Sequence, residues 1–221
     1  MDTDIIETPD GLDMEIPSGC LISSRFADGV YENDLIAAVE RAIDNGPRTI
    51  VDAGAHVGNH SIRFGMFADY VLSFEPSRQL FGLLARNFDA NEDRIEATVR
   101  FHRCALGDAR GHGRVFIEEG NTGNTLVSPA NDERSADRFC PIRRLDRMIP
   151  DRRVGAIKVD VEGMEMAVLK GAESILQDDR PDLFIECGKT GRNAVLDFLR
   201  PFGYRPLDVY AKTPTWHFTA E

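Results

Sequence analysis

A glycine turn lies between two acidic residues, each of which follows a short apolar run. Asp52 closes a β-rich run that begins at Thr49, and a turn from Gly54 to Gly58 follows it. Glu75 closes a second run, 23 residues after Asp52. Glycines let the backbone approach a ligand, and an acid at the end of the next strand can accept hydrogen bonds from ribose hydroxyls. The pattern therefore predicts a nucleotide site at the carboxyl ends of two parallel strands.

The residue types within this turn select among nucleotides. A dinucleotide site needs Gly-x-Gly-x-x-Gly, which places a pyrophosphate against the start of a helix. Here Asp52 stands in the place of the first glycine and Val57 in that of the third. A carboxylate at position 52 would repel a pyrophosphate but attract an ammonium group. We therefore predict a ribose-containing ligand with a cationic amino-acid tail and no phosphate, such as S-adenosylmethionine (SAM).

A second group of charged residues could carry out proton transfer. Lys158, Asp160 and Glu162 alternate at the end of a later apolar run, and Glu186 ends the next one. An extended chain would direct the first three toward one side. A carboxylate there could take a proton from an acceptor hydroxyl, with Asp160 as the preferred base and Glu162 as the second candidate. Asp160 and Glu186 could instead hold a divalent cation such as Mg²⁺, which acidifies a hydroxyl.

The same residues also allow a structural interpretation. Glu162 and Glu165 could stabilise the start of the following helix, where the helix dipole favours negative charge. Lys158 could neutralise buried acids. The catalytic interpretation is preferred for Asp160, whereas both interpretations stay open for Glu162 and Glu186.

Strand-like and helix-like segments alternate from residue 49 onward, which predicts an α/β fold with a mostly parallel sheet and helices on both faces. Two closing strands without an intervening helix predict an antiparallel edge hairpin. Residues 1–48 are predicted to form an annex of a hairpin or lid and a helix, and residues 49–221 the main domain. Within the main domain, one helix is expected from Met164 to Leu176. A polar loop from Glu119 to Cys140 is expected to shape an acceptor pocket.

Composition argues against several classes of partner. The net charge of −11 lacks the basic footprint that nucleic acids need, so no nucleic-acid partner is expected. The apolar runs are too short to span a bilayer and the acidic N-terminus does not resemble a signal peptide, so no membrane insertion is expected. Four cysteines lie far apart without a C-x-x-C pair, which indicates reduced thiols and a cytoplasmic protein. The oligomeric state is left open.

Four separated segments carry recognisable motifs: Val51-Asp-Ala-Gly-Ala-His-Val-Gly-Asn-His, Phe74-Glu-Pro, Ala105-Leu-Gly-Asp and Ile157-Lys-Val-Asp-Val-Glu-Gly-Met-Glu. Together they resemble the FkbM family of SAM-dependent methyltransferases. The match extends over roughly residues 49 to 187 in the order and spacing of the family. The resemblance implies a Rossmann-like methyltransferase sheet of seven strands with SAM as cofactor. It also implies a small-molecule hydroxyl acceptor, such as a sugar, a glycosylated natural product or a similar metabolite.

The resemblance assigns roles to individual residues. The predicted cofactor-binding set is Asp52, Gly54, Gly58, Asn59, Glu75, Ala105, Leu106 and Asp160. In this assignment Asp52 and the glycine turn would hold the methionine end of SAM, and Glu75 would hold the ribose. The backbone of Ala105 and Leu106 would contact the adenine.

Two other functions remain as alternatives. One is an N- or carboxyl-methyltransferase on the same fold, although a carboxylate base at Asp160 is most useful for a hydroxyl acceptor. The other is a non-catalytic scaffold that binds a partner. A scaffold would be expected to have lost parts of the cofactor site, yet Asp52, Gly54, Gly58 and Glu75 are all present.

Overall fold

A computed structural model of the chain describes residues 1–19, 32–118, 121–129, 139–149, 151–211 and 214–220. The strands are β1 (Thr3–Glu7), β2 (Asp13–Pro17), β3 (Thr49–Ala53), β4 (Tyr70–Phe74), β5 (Thr98–His102), β6 (Ala105–Leu106), β7 (Gly111–Glu118), β8 (Asn121–Pro129), β9 (Phe139–Arg143), β10 (Ala156–Val159), β11 (Asp182–Glu186), β12 (Tyr204–Tyr210) and β13 (Thr215–Ala220). The helices are α1 (Asn33–Ile43), α2 (Asn59–Gly65), α3 (Arg78–Ala90), α4 (Glu165–Lys170), α5 (Glu173–Asp178) and α6 (Lys189–Leu199). The part of the predicted lid that falls on residues 20–31 lies outside the described residues.

Seven strands form the central sheet in the order β12-β13-β11-β10-β3-β4-β5. The five strands from β11 to β5 are parallel, whereas β13 pairs antiparallel with β11 and with β12. The predicted α/β fold with an antiparallel edge hairpin is thus confirmed. Because β3 lies between β10 and β4, the ends of these three strands meet at one edge of the sheet, where ligands bind in such folds.

Apolar side chains alternate between the two faces of the sheet. In β3, Ile50 joins a cluster with α1 and Phe64 of α2, whereas Val51 joins a larger cluster with α4, α5 and α6. Both side chains are fully buried. Helices therefore cover both faces, as a parallel sheet requires. Among the helices that the structure describes, none is long and apolar enough to cross a membrane.

The N-terminal hairpin packs against helices α2 and α3. In this hairpin β1 pairs antiparallel with β2. Three buried side chains of the hairpin, Leu12, Met14 and Ile16, contact a cluster that includes residues of α2 and α3. The side-chain amide of Asn87 in α3 bridges the hairpin and the glycine turn, since it donates to the carbonyl oxygens of Glu15 at 2.9 Å and Val57 at 2.8 Å.

A second, four-stranded sheet has the order β6-β9-β7-β8. The prediction of a polar loop from Glu119 to Cys140 is wrong in part, because β8 pairs with β7 over most of its length and β9 begins at Phe139. The Asn-, Thr- and Gly-rich composition of β8 is typical of a loop, but cross-strand pairing outweighs that preference. Residues 130–138 of the predicted loop lie outside the described part of the chain.

The single helix predicted from Met164 to Leu176 is also wrong. Two short helices, α4 and α5, replace it and meet at Gly171 and Ala172. A Cβ atom at Gly171 would lie 2.1 Å from the carbonyl oxygen of Gly107, so the chain passes here too close to another backbone for any larger residue. This long-range contact is not encoded in the local helical pattern.

Candidate active site

A cavity opens at the sheet edge where β3, β4 and β10 end. It encloses about 860 Å³ of empty space, a volume that includes open solvent at its mouth. The polar lining includes His56, Asn59, Glu75, Thr125, Asp160 and Glu162, and the apolar lining includes Phe74, Pro76, Cys104, Leu106, Val127 and Met164. An apolar wall beside a carboxylate suits a ligand that combines a planar base with a ribose.

The glycine turn brings the ends of β3 and β10 into close contact. Gly54 and Gly58 have φ angles of 85° and 94°, a region that glycine adopts without strain. A Cβ atom at Gly54 would lie 1.7 Å from the carbonyl oxygen of Asp160. Only a glycine at position 54 therefore allows the Asp160 backbone to lie against the turn. The requirement for glycine at position 54 therefore comes from packing against Asp160 as well as from the approach of a ligand.

Glu75 is 3% exposed and held by two backbone amides. His56 N donates to Oε2 at 2.9 Å, and Ser77 N donates to Oε1 at 2.8 Å. Burial raises the pKa of Glu75 to about 7, although these two hydrogen bonds oppose the shift. Each carboxylate oxygen has two lone pairs, so the carboxylate can still accept hydrogen bonds from two hydroxyls.

His56 connects the glycine turn to the second sheet. Its Nε2 lies 3.0 Å from Oγ1 of Thr122 in β8, and its own φ of 52° is left-handed. Burial lowers the pKa of His56 to about 4, so the ring is neutral at pH 7. The β8 residues Gly123, Thr125 and Val127 line the cavity beyond this contact. His56 and Thr122 thus join the two walls of the cavity.

Lys158 is the buried cation of the site. Its side chain is 3% exposed, and Nζ lies 3.3 Å from Oδ1 of Asp52 and 3.4 Å from Oδ2 of Asp160. Burial alone would lower the pKa of Lys158, but the charges of Asp52 and Asp160 outweigh it and raise the pKa above its usual value. The structural role considered for Lys158, neutralisation of buried acids, is therefore observed.

Carboxylates surround the other side of the cavity. Asp160 and Glu162 both line it, although Glu162 has a φ of 48° and the chain is no longer extended there. Burial and the charge of Asp160 raise the pKa of Glu162 above its usual value. The same two causes raise the pKa of Glu186 to about 8. This side of the cavity thus favours neutral or cationic groups over anions.

The structure offers no support for the Mg²⁺ site considered at Asp160 and Glu186. No group of three His, Cys, Asp or Glu side chains that could hold a metal ion occurs among the described residues. The pair is better described as two neighbouring carboxylates, one of which contacts Lys158.

The predicted cofactor residues fall into two groups. Gly54, Asn59, Glu75, Ala105, Leu106 and Asp160 line the cavity. Asp52 and Gly58 lie outside the wall that the described residues form, and so does Glu186, which was predicted only as a metal ligand. Asp52 is fully buried, accepts a hydrogen bond from Ser61 Oγ at 2.6 Å and pairs with Lys158. Direct contact between Asp52 and a cofactor stays a prediction.

Two parts of the site were not identified from the sequence. Arg63, which is 3% exposed, donates to the side chain of Asn59 at 2.7 Å and pairs with Asp10 of the hairpin turn. The contact of His56 with Thr122 was also missed. The sequence shows an arginine at i+4 from Asn59. It does not show that this arginine is buried or that it pairs with Asp10, 53 residues away.

Comparisons with known proteins bear on the family and the fold of the chain. A model of the methyltransferase FkbM domain matches residues 52–206. Methyltransferase sdnD of Sordaria araneosa is 27% identical, with 71% of this chain and 68% of that protein covered. The structure of methyltransferase FkbM from Methylobacillus flagellatus superimposes with a TM-score of 0.59 at 20% identity, covering 77% of this chain and 43% of that one.

A further solved structure carries a bound ligand. SMU.1697c from Streptococcus mutans, in complex with SAH, superimposes with a TM-score of 0.51 at 12% identity and covers 85% of this chain and 95% of that one. At such identities the two solved structures establish the fold alone. The domain match, residues 52–206, includes all of the described residues that line the cavity and covers most of the chain. On the strength of that match, the chain belongs to the FkbM family of methyltransferases.

Proposed function

We propose that this protein is a SAM-dependent methyltransferase that transfers the methyl group to a hydroxyl of a saccharide, a glycosylated natural product or a similar small metabolite. One observation carries the proposal: the glycine turn, the Glu75 carboxylate and the acids Asp160 and Glu162 all line one cavity. The first two suit the nucleoside of the cofactor, and the last two suit the acceptor. Membership of the FkbM family supports the same activity.

The described residues fit SAM in charge and shape. Glu75 would accept hydrogen bonds from the ribose hydroxyls, since its protein contacts leave lone pairs free. Leu106 and the backbone of Ala105 would contact the adenine within the apolar wall. The turn at Gly54 would approach the methionine end. The SAH complex of the structurally similar SMU.1697c supports a cofactor of this kind.

The reaction needs placement and removal of one proton. SAM supplies a methyl group on a sulfonium; the acceptor oxygen forms a bond to that carbon, and the carbon–sulfur bond breaks with its electron pair remaining on sulfur. Asp160 is the proposed base that takes the hydroxyl proton. Glu162, which lines the same wall and has a raised pKa, is the second candidate.

The acids near the cavity bear on the acceptor. These acids, Asp160 together with Glu162 and Glu186, whose pKa values its charge raises, disfavour a phosphate or carboxylate at the acceptor position. They are compatible with the neutral hydroxyls of a sugar. They would also hold an ammonium group, and this observation keeps N-methylation as the second candidate. The expected absence of a nucleic-acid partner stays a prediction consistent with the same charges.

A cytoplasmic location is part of the proposal. Cys104, Cys140 and Cys187 are buried free thiols, which is the usual state in a reducing compartment.

Thermal unfolding with and without ligands tests the cofactor. SAM and SAH should each stabilise the protein, by about 2.7 kcal/mol at roughly 100 times the dissociation constant, whereas NAD should not. Absence of stabilisation by both sulfur compounds would refute the proposal. Incubation with methyl-labelled SAM and a panel of glycosylated metabolites and amines, followed by mass spectrometry, then identifies the methylated atom. If the labelled methyl group is found on nitrogen alone, the acceptor is an amine and not a hydroxyl.

A further inference from the structure

Asn59 carries a hydrogen-bond donor that no described residue uses. Its side chain lines the cavity and is 7% exposed. Within the described part of the chain, its Nδ2 atom has no hydrogen-bond partner. Buried polar groups in native proteins are nearly always paired, so a buried amide donor left open at a cavity indicates a ligand that accepts the bond.

Arg63 determines which end of this amide faces the cavity. Its Nη1 donates to Oδ1 of Asn59 at 2.7 Å and to the Asn59 carbonyl oxygen at 3.0 Å. A guanidinium group has only donors, so the amide oxygen must face Arg63. The NH₂ group is therefore turned away from Arg63 and is left without a partner among the described residues, on a side chain that lines the cavity.

Asp10 in turn holds Arg63. Arg63 Nε donates to Oδ2 at 2.9 Å, and Arg63 Nη2 donates to Oδ1 at 2.8 Å, which is a two-pronged pair. Such pairs fix the plane of the guanidinium as well as its position. Asp10 lies in the turn between β1 and β2, so the N-terminal hairpin anchors a series of contacts that ends at the cavity.

We propose that Asn59 Nδ2 donates a hydrogen bond to the carboxylate of the amino-acid tail of SAM, and that Arg63 and Asp10 are positioning residues for this contact. The inference rests on the proposed function, because it requires SAM in the cavity. The carboxylate is the only anionic group of SAM, and a donor backed by a buried guanidinium favours an anion. Asn59 also directly follows the glycine turn, at which the methionine end of the cofactor is expected.

The test compares SAM with its decarboxylated analogue, which keeps the adenosine, the sulfonium and the amine. Titration calorimetry of the wild-type protein should show tighter binding of SAM than of the analogue. Asn59→Asp and Arg63→Lys should each weaken SAM binding on the order of tenfold, because a hydrogen bond to a charged group is lost or misplaced. Neither variant should weaken binding of the analogue. Asp10→Asn should also weaken SAM binding, but by a smaller factor.

Arg86→Lys is the matched control. Arg86 also forms a two-pronged pair with a hairpin carboxylate, that of Glu15, but it does not line the cavity. Its substitution should leave both affinities unchanged. Equal weakening of both ligands in the Asn59 and Arg63 variants would indicate a structural role and overturn the inference, and so would unchanged SAM binding. If the wild-type protein binds neither ligand, the proposed function fails and the inference fails with it.

Discussion

Lys158 and Asp52 lie directly opposite each other on the adjacent parallel strands β10 and β3, with Nζ of the lysine 3.3 Å from Oδ1 of the aspartate. Both side chains are almost completely buried, at 3% and 0% exposure. Among the residues that the structure describes, this Asp52 oxygen has no well-directed hydrogen bond, so the contact is an ion pair. The acid that the sequence pattern places at the cofactor site is thus engaged beneath the cavity by a lysine from the neighbouring strand.

Lys158→Met should destabilise the protein strongly. It leaves Asp52 without its counter-ion and removes the cation beside Asp160, and breaking a buried ion pair costs about 3–5 kcal/mol. Urea unfolding at pH 7 measures the loss. Arg200→Met is the control, since Arg200 and Asp197 form a pair whose side chains are 69% and 70% exposed. That variant should change stability by less than about 1 kcal/mol. If both variants lose a similar free energy of unfolding, Lys158 and Asp52 do not form a buried ion pair.

Asp160→Asn should reduce turnover while leaving SAM binding nearly intact. Loss of a general base typically costs about 10²–10⁴ in rate. Glu162→Gln, measured in the same assay, separates the two candidates. If Asp160→Asn retains full turnover and Glu162→Gln does not, Glu162 is the base. Activity should be unchanged by EDTA, because the proposed proton transfer uses carboxylates without a metal ion.

Gly54→Ala should be far more damaging than Gly163→Ala. Both glycines have left-handed φ angles, 85° and 98°, so both alanines suffer a backbone penalty of roughly 1–2 kcal/mol. At Gly54 the new Cβ would lie 1.7 Å from the Asp160 carbonyl oxygen, whereas at Gly163 no atom of the described residues lies within 4 Å of it. The difference between the two unfolding free energies measures this contact. Equal losses would show that the turn and β10 are not in contact.

SAM affinity should rise with pH around neutrality. Burial raises the pKa of Glu75 to about 7, and only its ionised form accepts hydrogen bonds at both oxygens. If SAM binds that form alone, affinity should increase about tenfold between pH 6 and pH 8. Calorimetric titrations across this range measure the slope. Glu75→Gln should remove this slope, because the glutamine side chain does not titrate. If the pH dependence of SAM affinity persists in the Glu75→Gln variant, a group other than Glu75 causes it.

Local patterns predicted the central sheet well because its strands are short apolar runs separated by helices. They failed for β8, whose polar residues are ordered by pairing with β7, and for α4 and α5, which are separated at Gly171 by a contact with the Gly107 backbone. In both cases the deciding contact is distant in sequence. Local propensity and periodicity therefore cannot predict such contacts.

The sequence by itself determined the alternation of strands and helices, the glycine turn and the acids at or near the strand ends, because each depends on neighbours along the chain. Only the tertiary structure decided what those acids contact. It placed Asp52 opposite Lys158, placed β8 against His56, and connected Asp10 through Arg63 to Asn59. Pairings of this kind join residues far apart in the chain. They exist only once sheet order, register and packing are fixed.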